Sequence, residues 1–353
     1  MGNTSKGMQM VKIILLLMIW FMPLQCATND NSADWTWLHT KKCNEIVRTN
    51  NRNKKSLLFS QDNVKPFTQL VFSWNAIRPA GGYFSFYVQV RDAATKKWGI
   101  WHHMADWGHD MQQSYLSKSD GFSAHVHVRL EMDAKKFADA FRIKIEPNKA
   151  ALSLVHSVSV ALSDFTLFKP EQFKDISNSY SSVHITGLPS ISQCALEHED
   201  NGKICSPVSC TMLVDFLTGD NTDPLDFAAA GFDRGLGVYG SWPCNMAHAF
   251  ERASGKFNFF VRRMNGFADI HRQLISGMPV IVSVRGTLPG ALKPFPHGHL
   301  MVVVGLDKDA GQVLCHDPAC ESDKDVFKRY PLQDFLRAWE TSHRLAYVAE
   351  YNV

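Results

Sequence analysis

The sequence predicts an α+β fold in which an antiparallel β-sandwich precedes a mixed domain of helices and strands. Two observations carry this. Between Thr68 and Leu167 apolar residues alternate in short runs separated by Gly, Pro, Asn and Asp, the pattern of half-buried antiparallel strands. After Pro189, helix-sized segments alternate with continuous apolar strands, the pattern of an α+β domain. With 353 residues, 45% hydrophobic and 20% charged, the chain is long enough for two such units.

The elements follow in order. Residues 30–65 are polar and read as irregular, with a solvated run from Asn50 to Lys55. Strands are expected at Leu70–Trp74, Phe84–Val90, His125–Leu130, Phe141–Ile145, Val155–Val160 and Phe165–Leu167. Trp98, Trp101 and Trp107 cluster in this half. They read first as core and rim packing and second as a carbohydrate-binding face. His102, His103 and His109 lack a carboxylate or cysteine at ligand spacing, so no metal is expected. Residues 169–186 read as a connector rich in Ser and Asn.

In the second half a helix is expected after Cys205, closed by Gly219. Pro207 suits its first turn, and Ser206 and Ser209 fit a capped start. A second helix begins near Trp242, and a third spans Phe267 to Ser276. Strands follow at Pro279–Val284, Leu300–Leu306 and Gln312–His316. Asp307 to Gly311 makes the last two a hairpin. A helix near Leu332–Trp339 and a strand near Leu345–Tyr351 complete the domain.

The ends and the charge bound the function. Lys6 and Lys12 precede an apolar run from Ile13 to Met22, with Leu24–Ala27 as a cleavage zone, so 1–27 reads as a secretory signal. The run is shorter than the ~20 residues of a membrane-spanning helix. No span is expected in the mature chain, and the protein is expected to be secreted or extracytoplasmic. Cys26 offers an alternative lipid attachment to the cell surface. A net charge of +3 and the lack of a basic stripe argue against nucleic-acid binding. The division is therefore 1–27 signal, 28–168 β-sandwich, 169–186 linker and 187–353 α+β domain.

The chemistry centres on Cys205. A cysteine at a helix N-terminus feels the positive end of the helix dipole, which favours thiolate. A thiolate nucleophile needs a base, and the base an orienting group. His299 and Asp317 flank the predicted hairpin, each nine positions from Lys308. A regular hairpin centred on Lys308 would set them opposite one another, about 5 Å apart at Cβ, while a bulge would break that register. His297 competes for the base. The Cys205 N–H and the Gln193 side chain are candidate oxyanion donors. Cys315, His316 and Cys320 could hold zinc, but a Cys315–Cys320 bridge is the stronger expectation.

Ser192-Gln193, Cys205-Ser206-Pro207-Val208-Ser209, Trp242-Pro243-Cys244-Asn245, Gly298-His299-Leu300 and Asp317-Pro318-Ala319 together resemble the bacterial double-glycine-leader (bacteriocin-processing) peptidase-like family of papain-like cysteine peptidases. The resemblance covers 187–353. It implies a papain-like fold with Gln193 as oxyanion donor, Cys205 as nucleophile, His299 as base and Asp317 as its orienter. Ser73-Trp74-Asn75-Ala76 and Trp98-Gly99-Ile100-Trp101 resemble the β-rich domain that precedes such domains in secreted members. Ile204, Cys244 and His316 stand where an aromatic residue, Phe and Asn are frequent. The membrane and ATP-binding domains of the bacteriocin exporters are missing, so the double-glycine specificity is not carried over. The expectation is an exported cysteine peptidase acting on a peptide or protein, with no cofactor. The rival readings are a vestigial binding or adhesion protein, which would not label with an electrophile, and an acyltransferase on the same scaffold.

Overall fold

The computed structural model describes residues 34–51, 54–115, 118–171 and 179–352. The expected signal segment, with Cys26, lies outside the described residues, as does 172–178 of the expected linker.

The first half is all β. Its strands are β1 (Thr36–Lys42), β2 (Val47–Asn51), β3 (Lys54–Gln61), β4 (Gln69–Ala76), β5 (Tyr83–Asp92), β6 (His102–Gly108), β7 (Gln112–Ser114), β8 (Ser123–Val126), β9 (Arg129–Met132), β10 (Ala138–Asn148) and β11 (Val155–Ser163). They form a five-stranded sheet, β1-β11-β4-β9-β8, and a six-stranded sheet, β2-β3-β10-β5-β6-β7. One core serves both. Phe72 and Trp74 from the first sheet meet Phe86 and Phe141 from the second, and Trp74 stacks on Phe86 at 4.2 Å. Each such aromatic contributes roughly 1.5–3 kcal/mol by leaving water. Trp107 is in this core. Trp98 and Trp101 are half-buried, with Arg142 and Lys144 over their faces at 3.8 and 5.0 Å.

Three expectations change here. The stretch expected to be irregular carries β1, β2 and β3. Hydroxyl pairs across the strands stand where alternating apolar pairs were looked for: Thr40 with Ser159 at 3.0 Å and Thr49 with Ser56 at 2.7 Å. The single strand expected over His125–Leu130 is a hairpin, β8–β9, because the chain reverses at His127 (φ 56°). Phe165–Leu167 is a turn after β11, with the Phe165 N–H bonded to Thr68 Oγ1 at 3.0 Å.

The second half contains β12 (Val183–His184), α1 (Cys205–Thr218), α2 (Pro224–Gly231), α3 (Trp242–Arg252), β13 (Phe257–Arg263), α4 (Phe267–Ile275), β14 (Val280–Gly286), β15 (Phe295–Asp307), β16 (Gln312–His316), β17 (Phe327–Pro331), α5 (Leu332–Thr341) and β18 (Leu345–Tyr351). Its sheet has the order β13-β18-β14-β15-β16-β17, with β12 on β15. One face packs Ile281 and Val302 against Val208 and Met212 of α1 and Phe250 of α3. The other packs Val280 and Met301 against Ile270 of α4 and Phe335 and Trp339 of α5. The sheet is buried on both sides, so β14 and β15 read as continuous apolar runs.

The Ser73–Asn75 segment has a structural task. Strand β13 is an edge, and two of its N–H groups are taken by side chains of β4. Val261 donates to Ser73 Oγ and Phe259 to Asn75 Oδ1, both at 2.9 Å. The Asn75 amide is held in turn by Ser157 Oγ at 3.0 Å. Trp74, between them in sequence, points the other way into the first core, as strand alternation requires.

Candidate active site

Cys205 is the first residue of α1, and Gly219 in the left-handed region (φ 77°) closes the helix. The cap differs from expectation. Ile204 is the N-cap and accepts no bond through its side chain. Ser206 instead bonds the Tyr347 hydroxyl at 3.1 Å, and Ser209 donates to the Leu300 carbonyl at 3.1 Å. These serines fasten the helix start to β18 and β15. The Val208 N–H bonds the Ile204 carbonyl at 3.1 Å and Pro207 has none to offer, so in this turn the N–H groups of Cys205 and Ser206 are the ones without an intrahelical acceptor. Asn245 of α3 reinforces the join, donating to Ser206 Oγ at 2.9 Å and to the Tyr239 carbonyl at 2.8 Å.

His299 and Asp317 meet, but not by the expected register. Asp307 pairs with Gln312, and a bulge between Val303 and Gly305 shifts the ladder so that Val302 faces His316. The hairpin is not centred on Lys308. Strand β16 ends at His316, and Asp317 begins the turn beyond it. Its carboxylate is held there by the Ala319 N–H at 2.8 Å and the Tyr330 hydroxyl at 2.6 Å. Oδ1 reaches His299 Nε2 at 2.6 Å. With Nε2 committed, Nδ1 is the nitrogen left for Cys205, whose thiol and the ring each shift the other's ionisation. Phe295 stacks on the imidazole at 4.1 Å and 15°. Gly298, between them, takes φ 96°, a conformation that favours glycine.

The charges follow from these contacts. Burial disfavours a thiolate, but the hydrogen bond and charge of His299, with the Leu300 N–H, hold the Cys205 thiol below its usual value. Burial also disfavours an imidazolium, yet Asp317 and Cys205 push His299 up to about 10. Asp317 is fully buried, and His299, Tyr330 and the Ala319 N–H outweigh that desolvation and keep its carboxyl below the usual range. The three shifts agree on one state: a thiolate and an imidazolium beside a carboxylate.

Gln193 sits in a short 3-10 turn, Gln193–Ala195, 1% exposed. Its Nε2 donates to the Asn201 carbonyl at 2.8 Å, which fixes the nitrogen end of the amide and leaves a second N–H on the same atom. Its backbone N–H bonds the Pro318 carbonyl at 2.9 Å, tying this turn to the one that carries Asp317.

Residues 185–347 match the family described as Peptidase_C39 like. The match covers somewhat less than half of the chain. A putative C39-like peptidase from Bacillus anthracis is similar in structure at 15% identity, covering 49% of this chain and 98% of that one, with a TM-score of 0.38. Xylellain, a cysteine protease from Xylella fastidiosa, is similar at 12% identity, covering 53% of this chain and 91% of that one, with a TM-score of 0.31. No curated protein matches the chain.

A cleft of about 820 Å³ opens over Cys205, His299 and Gln193, and Tyr239, Trp242, Lys293 and His297 help to line it. The β8–β9 turn of the first half reaches it too, through Val126, His127 and Arg129. His297 is exposed at the rim and does not contact Asp317, whereas His299 is 3% exposed. His248 is elsewhere, buried against Phe227 and bonded to Glu251 at 3.0 Å. Cys315 and Cys320 lie in different cores, on opposite faces of the sheet, and form no bridge; all seven described cysteines are free. Among the described residues no group of three potential ligands stands together as a metal would need.

Two residues of this site escaped the sequence reading. Phe295 stands four positions before His299, and only the extension of β15 back to it brings the rings together. Tyr330 lies across β16, and the Val313–Tyr330 pairing delivers its hydroxyl to Asp317.

Proposed function

We propose that the protein is a cysteine peptidase that cuts a peptide bond through an acyl-enzyme on Cys205. The observation that carries this reading is the position of His299, bonded to Asp317 on one ring nitrogen and lining the same cleft as Cys205 at the start of α1. The thiolate attacks the carbonyl carbon, and the developing oxyanion takes hydrogen bonds from the Cys205 N–H and the Gln193 amide. His299 gives its proton to the leaving amine as the C–N bond breaks. A water then loses a proton to His299 and attacks the thioester, and the Cys205 thiolate leaves as the acid product departs, which restores the thiolate beside the imidazolium. Asp317 keeps the ring oriented and stabilises its charge throughout.

The reading includes an all-β first half that narrows one wall of the cleft, and a site of action outside the cytoplasm. The basic and apolar composition of residues 1–27 supports the latter.

The test is alkylation and hydrolysis side by side. Iodoacetamide at near-neutral pH should label Cys205 before any other cysteine, as read by peptide mass spectrometry. Cys205→Ala should abolish that label and the hydrolysis of a fluorogenic peptide library. Undiminished hydrolysis in Cys205→Ala, or slow free-thiol labelling of Cys205, would refute the reading.

A further inference from the structure

A second cavity of about 380 Å³ opens beside the cleft, and Arg129, Trp242, Ser283 and Arg285 line both. Its position is set by the sheet. Ser283 pairs with Leu300, and Val284 with His299, so the cavity wall is one strand away from the base, about 4.8 Å at the backbone. A chain lying in the cleft therefore meets residues that also line this cavity.

The cavity is cationic. Arg263 is 5% exposed, and its guanidinium is bonded only to neutral acceptors: Gln69 Oε1 at 2.8 Å and the Ser342 and His343 carbonyls at 2.8 and 2.9 Å. Arg129 bonds Glu131 at 2.6 Å, and the same Glu131 oxygen also accepts from Gln69 at 3.1 Å. Arg285 is exposed and pairs with no carboxylate among the described residues. Three guanidinium groups against one carboxylate leave two positive charges in excess. His343 does not add to them, because burial and the three arginines push it down to about 4. A buried cation without an anionic partner is unfavourable, and a matching anion from a ligand relieves it. Guanidinium groups bind planar carboxylates in a forked, directional way.

We propose that this cavity receives a carboxylate of the peptide being cut, so that the enzyme selects substrates with an acidic side chain, or a free C-terminal carboxylate, close to the scissile bond. The proposal rests on the peptidase reading above for its substrate class. Arg285 and Arg129 meet the carboxylate at the mouth, and Arg263 supplies the charge at the floor.

The experiment uses the full chain and acetylated heptapeptides in which each position in turn is Glu, Gln or Lys. C-terminal amides and free acids form separate arms. At one position Glu should exceed Gln by tenfold or more in kcat/KM, or the free acid should exceed the amide by as much. Arg285→Ala should bring that ratio to within about threefold, Arg285→Lys should keep part of it, and Arg285→Glu should favour Lys. The readout is a ratio within one preparation, so loss of folded protein cancels. The same peptides are titrated calorimetrically into Cys205→Ala. A Glu/Gln or acid/amide difference in Kd that disappears with Arg285 upholds the pocket even if no peptide is hydrolysed. Equal Kd and equal kcat/KM for Glu and Gln at every position, and for acid and amide ends, overturn it.

Discussion

Tyr330 donates its hydroxyl to Oδ2 of Asp317 at 2.6 Å, while His299 holds Oδ1 at the same distance. The carboxylate is thus gripped on both oxygens inside the protein. Burial and the Asp317 charge push the phenol far up, so it remains a donor at any working pH. Tyr330→Phe should cost about 1–3 kcal/mol in chemical denaturation, the range for leaving a buried acceptor short of one bond. It should lower kcat/KM roughly tenfold, about 1.4 kcal/mol of barrier, because a less firmly ionised Asp317 supports the imidazolium less well. Wild-type rates with a lower melting temperature would limit Tyr330 to stability.

The ion pair predicts a pH signature in Cys205. The alkylation rate of wild type should persist well below the range of a free thiol, since His299 lowers the Cys205 value. In His299→Ala only the Leu300 N–H still opposes burial and the Asp317 charge, so the thiol should titrate above a free cysteine, near 8.5. Alkylation rate against pH for both proteins reads this directly.

Stability should respond to pH through the same pair. His299 is raised from 6.5 to about 10, so its contribution is complete below pH 6.5 and is lost as pH climbs toward 10. Asp317 is lowered, so its contribution is complete above about 4, the unfolded carboxylate value, and is lost as pH falls through the folded value. Both are whole between about pH 4 and 6.5. Unfolding free energy measured across pH 4–10 should decline on the alkaline side in wild type and decline less in His299→Gln.

Gln193→Ala tests the oxyanion donor. Loss of one such donor elsewhere lowers kcat by about 10²–10³. The same fall is expected here with KM nearly constant, measured on one fluorogenic peptide. A change confined to KM would make Gln193 a binding residue.

The clamp on β13 predicts that both halves of the chain melt together. Asn75→Ala strands the buried Phe259 N–H and should cost about 1–3 kcal/mol. Near-ultraviolet circular dichroism and tryptophan fluorescence should report one shared transition, shifted to lower denaturant. Two separated transitions would mean that the halves fold independently.

How much of this was legible in the sequence depended on the physics behind each element. Helix α1 and strand β18 were readable because apolar runs and the closing Gly219 are local signals, and Cys205, His299 and Asp317 were singled out by residue type and order. The register was not. A four-residue turn and a bulge at Val304 move the ladder away from Lys308, and Asp317 meets His299 only by leaving its strand. Strands β1 to β3 were hidden because hydroxyl pairs such as Thr40–Ser159 and Thr49–Ser56 stand among their cross-strand contacts. Ser73 and Asn75 were noticed as a likeness, but side chains that bind another strand's backbone leave no periodic trace. The arginine cavity draws Arg129, Arg263 and Arg285 from three strands, and no spacing in one dimension announces it.

The place of β18 in its sheet has a consequence for synthesis. This strand follows all the others of the sheet in sequence, yet it lies between β13 and β14, and its Tyr347 holds Ser206 beside Cys205. A ribosome that has released everything up to Ser342 has produced a sheet with a gap between its edge strand β13 and the rest, and a helix start without one of its anchors. Contacts this distant in sequence form late. The growing chain therefore carries its thiol unarmed, and a chain cut short before Leu345 should neither label with iodoacetamide ahead of a free thiol nor hydrolyse peptide.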